Sequence, residues 1–323
     1  VLHLMGAITL YYISTLIDFG SFWWLILLYT LLYMPTMALS NSISFGQLKD
    51  PGKEFPAIRV FGTVGWIVAG LMISFFGLEN SVLTFRIAAF SSLLLGVFSF
   101  FLPNTPPKTN KDNSLTAILG LDALILFKNR SFLVFFISSI AICIPLSFYY
   151  SFTNSFLNDI GVSNTAGKMT LGQASEFFFM LAIPFLFRRL GVKKMLLIGI
   201  FAWVMRYLLF AYGNIGPNMW MLYAGIILHG ICYDFFFVTG QIYTDAKAGS
   251  AVKNAAQGLI TFATYGVGMM IGSYVSGFIT ESYLTTIDEE TSYQWQQVWL
   301  VPACIAGFVL LTFAVLFKDK IIS

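Results

Sequence analysis

Charge is scarce in this sequence. Of 323 residues, 10% are Asp, Glu, Lys or Arg, against roughly a quarter in soluble domains. A net charge of +3 with no dense run of Lys or Arg leaves no electrostatic footprint for nucleic acid. Histidine is rarer still, at two (His3 and His229), and no metal site is expected. The three cysteines, Cys143, Cys232 and Cys304, stand far apart without CxxC spacing inside apolar runs. They read as small packing residues. The first apolar stretch lacks the basic flank and small-residue cleavage pattern of a secretory signal. No glycine-rich loop follows a strand, so no phosphate cradle and no cofactor are expected. No His/Asp or Ser/His cluster marks an enzyme, and no connection is long enough to be the soluble domain of a membrane sensor.

What the chain has instead is apolar surface. Hydrophobic residues make up 58% of it and its mean hydropathy is +0.80, the composition of an all-α, polytopic membrane protein. At about 20 apolar residues per crossing, spans are expected near 1–16, 22–45, 56–77, 83–102, 130–157, 168–187, 193–212, 219–243, 253–280 and 295–317. Lys49 and Lys53, then Lys108, Lys111, Lys128 and Arg130, then Arg188, Arg189, Lys193 and Lys194, then Lys247 and Lys253, and finally Lys318 and Lys320 mark alternate connections and the C-terminus. By the positive-inside rule these are cytoplasmic. The opposite connections carry Asp18, Glu79, Asp159 and Asp288–Glu290, with only Arg86 and Lys168 as bases.

The longest inner connection, 103–129, opens on Pro103, Pro106 and Pro107 and separates four spans from six. Within it Leu115, Ile118, Leu119 and Leu124 recur at near-helical spacing, as in an interfacial helix; a plain hydrophobic linker is the other reading. The first span opens on Val1 without Met or flanking cytoplasmic residues, so the chain is expected to be truncated. Two further helices before it would restore six plus six, the layout of the major facilitator superfamily. The expected division is an incomplete N-terminal helical half at 1–102, a cytoplasmic connection at 103–129 and a six-helix C-terminal half at 130–323, with ten of twelve transmembrane helices present.

Against this background a few polar side chains stand out. Asp234 lies within the apolar run Leu228–Gln241. A charged carboxylate at membrane depth costs a few kcal/mol or more, so it should face a protein interior or a wet cavity, or carry a proton. Glu176 lies in another apolar run, about 12 Å in from Lys168 at 1.5 Å per residue, with Gln173 one turn before it. An acid at that depth suits a carrier that takes up and releases protons; the other reading is a structural ion pair with Arg206, which lies at comparable depth in the next span.

Arg59, Thr63 and Trp66, at i, i+4 and i+7, share a helix face, with Pro56 fitting the first helical turn. Forked donors, a hydroxyl and a flat indole suit a polar, ring-bearing solute, whereas Arg59 as a flanking charge and Trp66 as a lipid-facing aromatic are the plainer alternative. Pro145 interrupts a span and bends it, with Ser147 and Tyr150 spaced to share a face beyond it; a simple packing kink is the alternative. His229 and Tyr233, at i, i+4, form an aromatic face beside Asp234; alone, His229 would read as a satisfied interior histidine. Gly268 and Gly272 are spaced for close helix approach.

Phe55-Pro-Ala-Ile-Arg-Val-Phe-Gly-Thr-Val-Gly, Leu119-Gly-Leu-Asp-Ala-Leu, Phe127-Lys-Asn, Gln173 with Glu176, Ile183-Pro-Phe-Leu, Ala202-Trp-Val-Met-Arg-Tyr, Phe210-Ala-Tyr-Gly, Asp234-Phe-Phe and Ala256-Gln-Gly resemble the bacterial nucleoside:H+ symporter family of the major facilitator superfamily. The resemblance runs from the third of the family's twelve helices to the last. It implies proton-driven nucleoside import across a bacterial inner membrane by alternating access, in a multi-pass protein whose partners are nucleoside, protons and the lipid bilayer and which acts as a monomer. Arg59, Thr63 and Trp66 would meet the nucleoside from the N-terminal half, and Gln173, Glu176, Tyr233 and Asp234 from the C-terminal half, with Ser147, Tyr150 and His229 at neighbouring site positions. Glu176 and Asp234 would couple protons. Amides are expected where the chain has Ser147 and Tyr150, a tyrosine at His229, and phenylalanine at Trp66 and Tyr233. An oligosaccharide/proton symporter is the rival, because Arg59, Thr63 and Trp66 also resemble a sugar-binding face, although Gln173 with Glu176 fits the nucleoside family better.

Overall fold

In the computed structural model, residues 1–78, 81–105, 120–287 and 290–318 are described. Apart from short connections and one hairpin they are helical, as lipid demands of a chain that must satisfy its backbone groups internally. The helices are α1 (Leu2–Ile13), α2 (Phe19–Gln47), α3 (Pro51–Phe75), α4 (Leu83–Phe98), α5 (Arg130–Asp159) and α6 (Thr165–Tyr212), then α7 (Met219–Gly249), α8 (Val252–Ser282) and α9 (Trp295–Leu316). Eight are long and apolar enough to cross a membrane, and α1, with 12 residues, is shorter. The expected spans 168–187 and 193–212 are the two arms of α6, which turns at Gly191 with φ 70° and ψ 168°. Only glycine takes that conformation without strain, and the basic pairs on either side place the turn at the basic end.

Several boundaries differ from the sequence expectation. α3 starts at Pro51, so Pro56 lies inside the helix and Pro51 takes the first position. The connection 106–119, with Leu115, Ile118, Leu119, Lys108 and Lys111, lies outside the described residues, as do Glu79, Asp288 and Glu289. Its visible end, Leu121–Lys128, is a 3₁₀ helix that buries Ala123 and Leu126 and leaves Leu124 exposed. Asn129 then caps α5, its side chain accepting from Phe132 N at 3.1 Å. A two-stranded antiparallel hairpin, Leu284–Ile287 with Glu290–Tyr293, joins α8 to α9. Cys143 and Cys232 are buried packing residues, but Cys304 is exposed on α9.

α5 to α9 enclose the main core. Trp203 and Tyr207 of α6 stack on each other and Tyr207 on Trp299 of α9, while Phe156 of α5 closes the cluster. The Tyr207 hydroxyl donates to the Pro145 carbonyl, fixing α5 where proline interrupts its ladder. Gly268 and Gly272 of α8 do serve close approach: a Cβ at Gly272 would sit 2.4 Å from Ser147 Oγ. A smaller core of Leu10, Ile13 and Ala89 joins α1 to α4.

The two groups of helices meet through a third cluster at the basic end. Phe45 of α2 and Phe55 of α3 stack at 4.2 Å and pack with Met180, Ile183 and Met195 of α6 and Phe235, Val238 and Ile242 of α7. Lys253 ties this end together: its ammonium lies 2.8 Å from Asp245 and 3.3 Å from the Phe45 carbonyl. Farther along α3 the packing stops. Phe55 and Val60 are buried, but Trp66, Val68 and Leu71 are exposed, and a Cβ at Gly65 or Gly70 would meet nothing within 4 Å.

Candidate translocation site

Just above the closed end, α3 touches α6 and α7 through polar groups. Thr63 Oγ1 donates to Glu176 Oε1 at 2.7 Å, and both residues are buried. Arg59 Nη2 donates to the Tyr233 hydroxyl at 3.4 Å, and that hydroxyl bonds the Tyr265 hydroxyl of α8. Glu176 Oε2 lies 3.6 Å from His229 Nε2. The expected His229/Tyr233 face exists, with ring centroids 6.0 Å apart and an interplanar angle of 29°.

This approach is possible because α6 and α7 cross at glycines. Gly230 lies against the backbone of Ser175 and Glu176, and its N–H donates to Ser175 Oγ at 3.0 Å. Immediately after Tyr233, α7 widens into a π turn over Asp234–Val238. Such turns are rare and concentrate at functional sites. The turn carries Asp234 into the interior at 0% exposure, and neither carboxylate oxygen has a hydrogen-bond partner among the described residues. Gln173 Oε1 and Arg59 Nε are likewise buried and unpartnered. Buried polar atoms are almost always paired, so a set of orphaned donors and acceptors on α3, α6 and α7 is suited to a polar solute or water.

A cavity of about 330 Å³ adjoins this group, bordered by Tyr33, Ser40 and Asn41 of α2, Arg59 of α3, Gln241 of α7 and Tyr265 of α8. Of these only Arg59 was expected from the sequence. Tyr33, Ser40 and Asn41 follow helical spacing and were legible as a polar stripe; Tyr265, one tyrosine in a glycine-rich span, gave no signal.

Other expected residues fall differently. Tyr150 lies beside the site, its ring edge-on to His229 at 6.5 Å. Ser147 does not: it donates to the Cys143 carbonyl at 3.0 Å and packs against Gly272 and Met269 of α8, so the α5–α8 contact takes the face that the spacing alone assigned to the site. Trp66 is 61% exposed and makes no ring contact among the described residues. Arg206 forms no direct ion pair with Glu176, because His229 stands between them.

Residues 1–321 match the family model described as nucleoside H+ symporter. The chain is 42% identical to the putative nucleoside transporter YegT of Escherichia coli (strain K12), covering 99% of this chain and 78% of that protein. Its fold superposes on the crystal structure of the nucleoside transporter NupG with a TM-score of 0.73 at 34% identity, over 99% of this chain and 82% of the other; on an E. coli fucose:proton symporter the TM-score is 0.63 at 12% identity, over 98% and 82%. The second likeness shows the fold alone, an all-helical polytopic architecture; on the extent of the family match, the chain belongs to the nucleoside H+ symporter family.

Proposed function

We propose that this chain carries nucleosides inward across a bacterial inner membrane together with protons, with its helices before and after the 103–129 connection acting as the two halves of an alternating-access carrier. As a member of its family it is a nucleoside/proton symporter, a multi-pass membrane protein and not an enzyme. What supports the site assignment best is the cluster of buried, unpartnered polar atoms of Asp234, Gln173 and Arg59 where α3 meets α6 and α7. In this reading Gln173, Glu176 and Thr63 take ribose hydroxyls, Tyr150, Tyr233 and His229 present aromatic faces, and Glu176 and Asp234 handle protons. The closed basic end and the open far end of α3 correspond to access from outside. A solute can shift that arrangement only if it binds the two access states unequally, and Thr63–Glu176 is a contact that separation of the halves must break.

The test is uptake of radiolabelled uridine by cells lacking their own nucleoside transporters, with a protonophore, excess inosine or excess lactose added in turn. Accumulation that collapses with protonophore and is competed by inosine is expected. Lactose transport without uridine uptake would overturn the assignment of substrate.

Trp66 provides a second test. Its indole is exposed at the open end of α3, where a base could stack on it. Trp66→Ala is expected to weaken equilibrium nucleoside binding by about 1–3 kcal/mol; an unchanged Kd would place the ring against lipid instead.

A further inference from the structure

Arg206 is fully buried and has no carboxylate partner among the described residues. Its Nε donates to the Gly225 carbonyl at 3.1 Å, its guanidinium lies 3.5 Å over the Tyr149 ring, and Nη2 is 3.1 Å from Nδ1 of His229. A guanidinium offers only donors. The imidazole nitrogen facing it must therefore accept through its lone pair, which leaves the single ring proton on Nε2. That nitrogen is the one 3.6 Å from Glu176 Oε2. A flipped ring is disfavoured, since it would turn Cδ2–H toward the guanidinium and Cε1–H toward Glu176 and so lose both nitrogen contacts. The ring is also stacked between Tyr149 at 5.1 Å and Tyr233 at 6.0 Å.

We propose that Arg206 fixes His229 as its Nε2–H tautomer and that His229 is thereby a positioning residue for Glu176, aiming its one N–H at Oε2 while Thr63 holds Oε1 from across the interface. The proposal rests on the reading of Glu176 as a substrate- and proton-binding acid. The two oxygens then have different fates. Thr63 belongs to α3 and leaves when the halves part, so Oε1 becomes free for a ribose hydroxyl or water. Arg206, His229 and Glu176 all lie on α6 and α7, joined through Gly230 and Ser175, and move together. Glu176 thus keeps its orientation when its partner at Oε1 changes, and the buried cation acts on it through a neutral ring and not by direct pairing.

With only two histidines in the chain, the tautomer can be read directly. ¹⁵N spectra of [¹⁵N]histidine-labelled protein in lipid nanodiscs, with and without His3→Gln, assign the His229 signals. The expected result is an unprotonated Nδ1 and a protonated Nε2. In Arg206→Met the lock is gone and the two tautomers should mix. In transport, His229→Leu should raise the KM for uridine several-fold, while His229→Gln, whose amide can still donate toward Oε2, should recover most of the loss. A protonated Nδ1 in the parent protein, or His229→Leu with the parental KM, would overturn the proposal. If Arg206→Met fails to fold, the parent spectrum still decides the tautomer. The expected tautomer in a chain that takes up no uridine would instead refute the transport reading and leave the Arg206–His229 geometry standing.

Discussion

Asp234→Asn should abolish concentrative uptake while leaving exchange of bound nucleoside intact. Asp234 is 0% exposed, on a π turn beside Tyr233, with both carboxylate oxygens unpartnered among the described residues. An ionised carboxylate in such a place costs several kcal/mol unless water or a cation reaches it, a cost that a purely structural role would leave uncompensated. In the proposed function reversible proton binding offsets that cost, because the acid and its anion would then favour different access states. Asparagine keeps the size and most of the hydrogen-bonding capacity of the protonated acid but takes up no proton. In proteoliposomes with an imposed pH gradient, the variant should bring internal and external uridine to equal concentrations and no further, and counterflow driven by preloaded uridine should persist. Retained uphill accumulation would remove Asp234 from coupling, and loss of counterflow as well would mean that the side chain is needed for binding or folding.

How much of this was readable from the sequence depended on the kind of signal. Asp234, Glu176 and Arg206 stood out because a charge inside an apolar run has no ordinary explanation in lipid. The alternation of basic and acidic connections located the turns, including the one at Gly191 between the two arms of α6. Pairings were another matter. Thr63 and Glu176 are 113 positions apart, and nothing local to either says that they meet. Arg206 does lie near Glu176, but the ion pair offered as the alternative reading does not form, because His229 stands between them. Ser147 and Tyr150 obey helical spacing, but neighbouring helices claim different parts of a shared face: Ser147 packs against α8 at Gly272, while Tyr150 lies beside His229 of α7. Tyr265 and the π turn at Asp234–Val238 were hidden, since backbone widening follows from packing and leaves no residue pattern of its own. The hairpin at Leu284–Tyr293 was missed for a different reason: a polar, acidic stretch between spans reads as loop whether or not its backbone pairs.

Gly230→Ala should be as damaging as the loss of a site residue, although Gly230 contributes no side chain. A Cβ there would lie 2.6 Å from Glu176 N and 2.6 Å from Ser175 C, with the Ser175 carbonyl oxygen at 2.7 Å. These are backbone atoms inside helix α6, so no rotamer change relieves the contact, and α7 must move away as a unit. That movement would stretch the Gly230–Ser175 hydrogen bond, now 3.0 Å, and carry His229 farther from Glu176, from which it already stands 3.6 Å away. Overpacking of this kind costs about 1–3 kcal/mol, measurable as a lowered midpoint of thermal unfolding in detergent. Transport should suffer more than stability does, because the displaced groups are those that the proposed function places around the solute. By contrast, Gly258→Ala, at a position where an added Cβ meets nothing within 4 Å, should leave both unchanged. If Gly230→Ala transported normally, α6 and α7 would have to tolerate a wider spacing than the site geometry allows, and the assignment of Glu176, His229 and Asp234 to one site would fail with it.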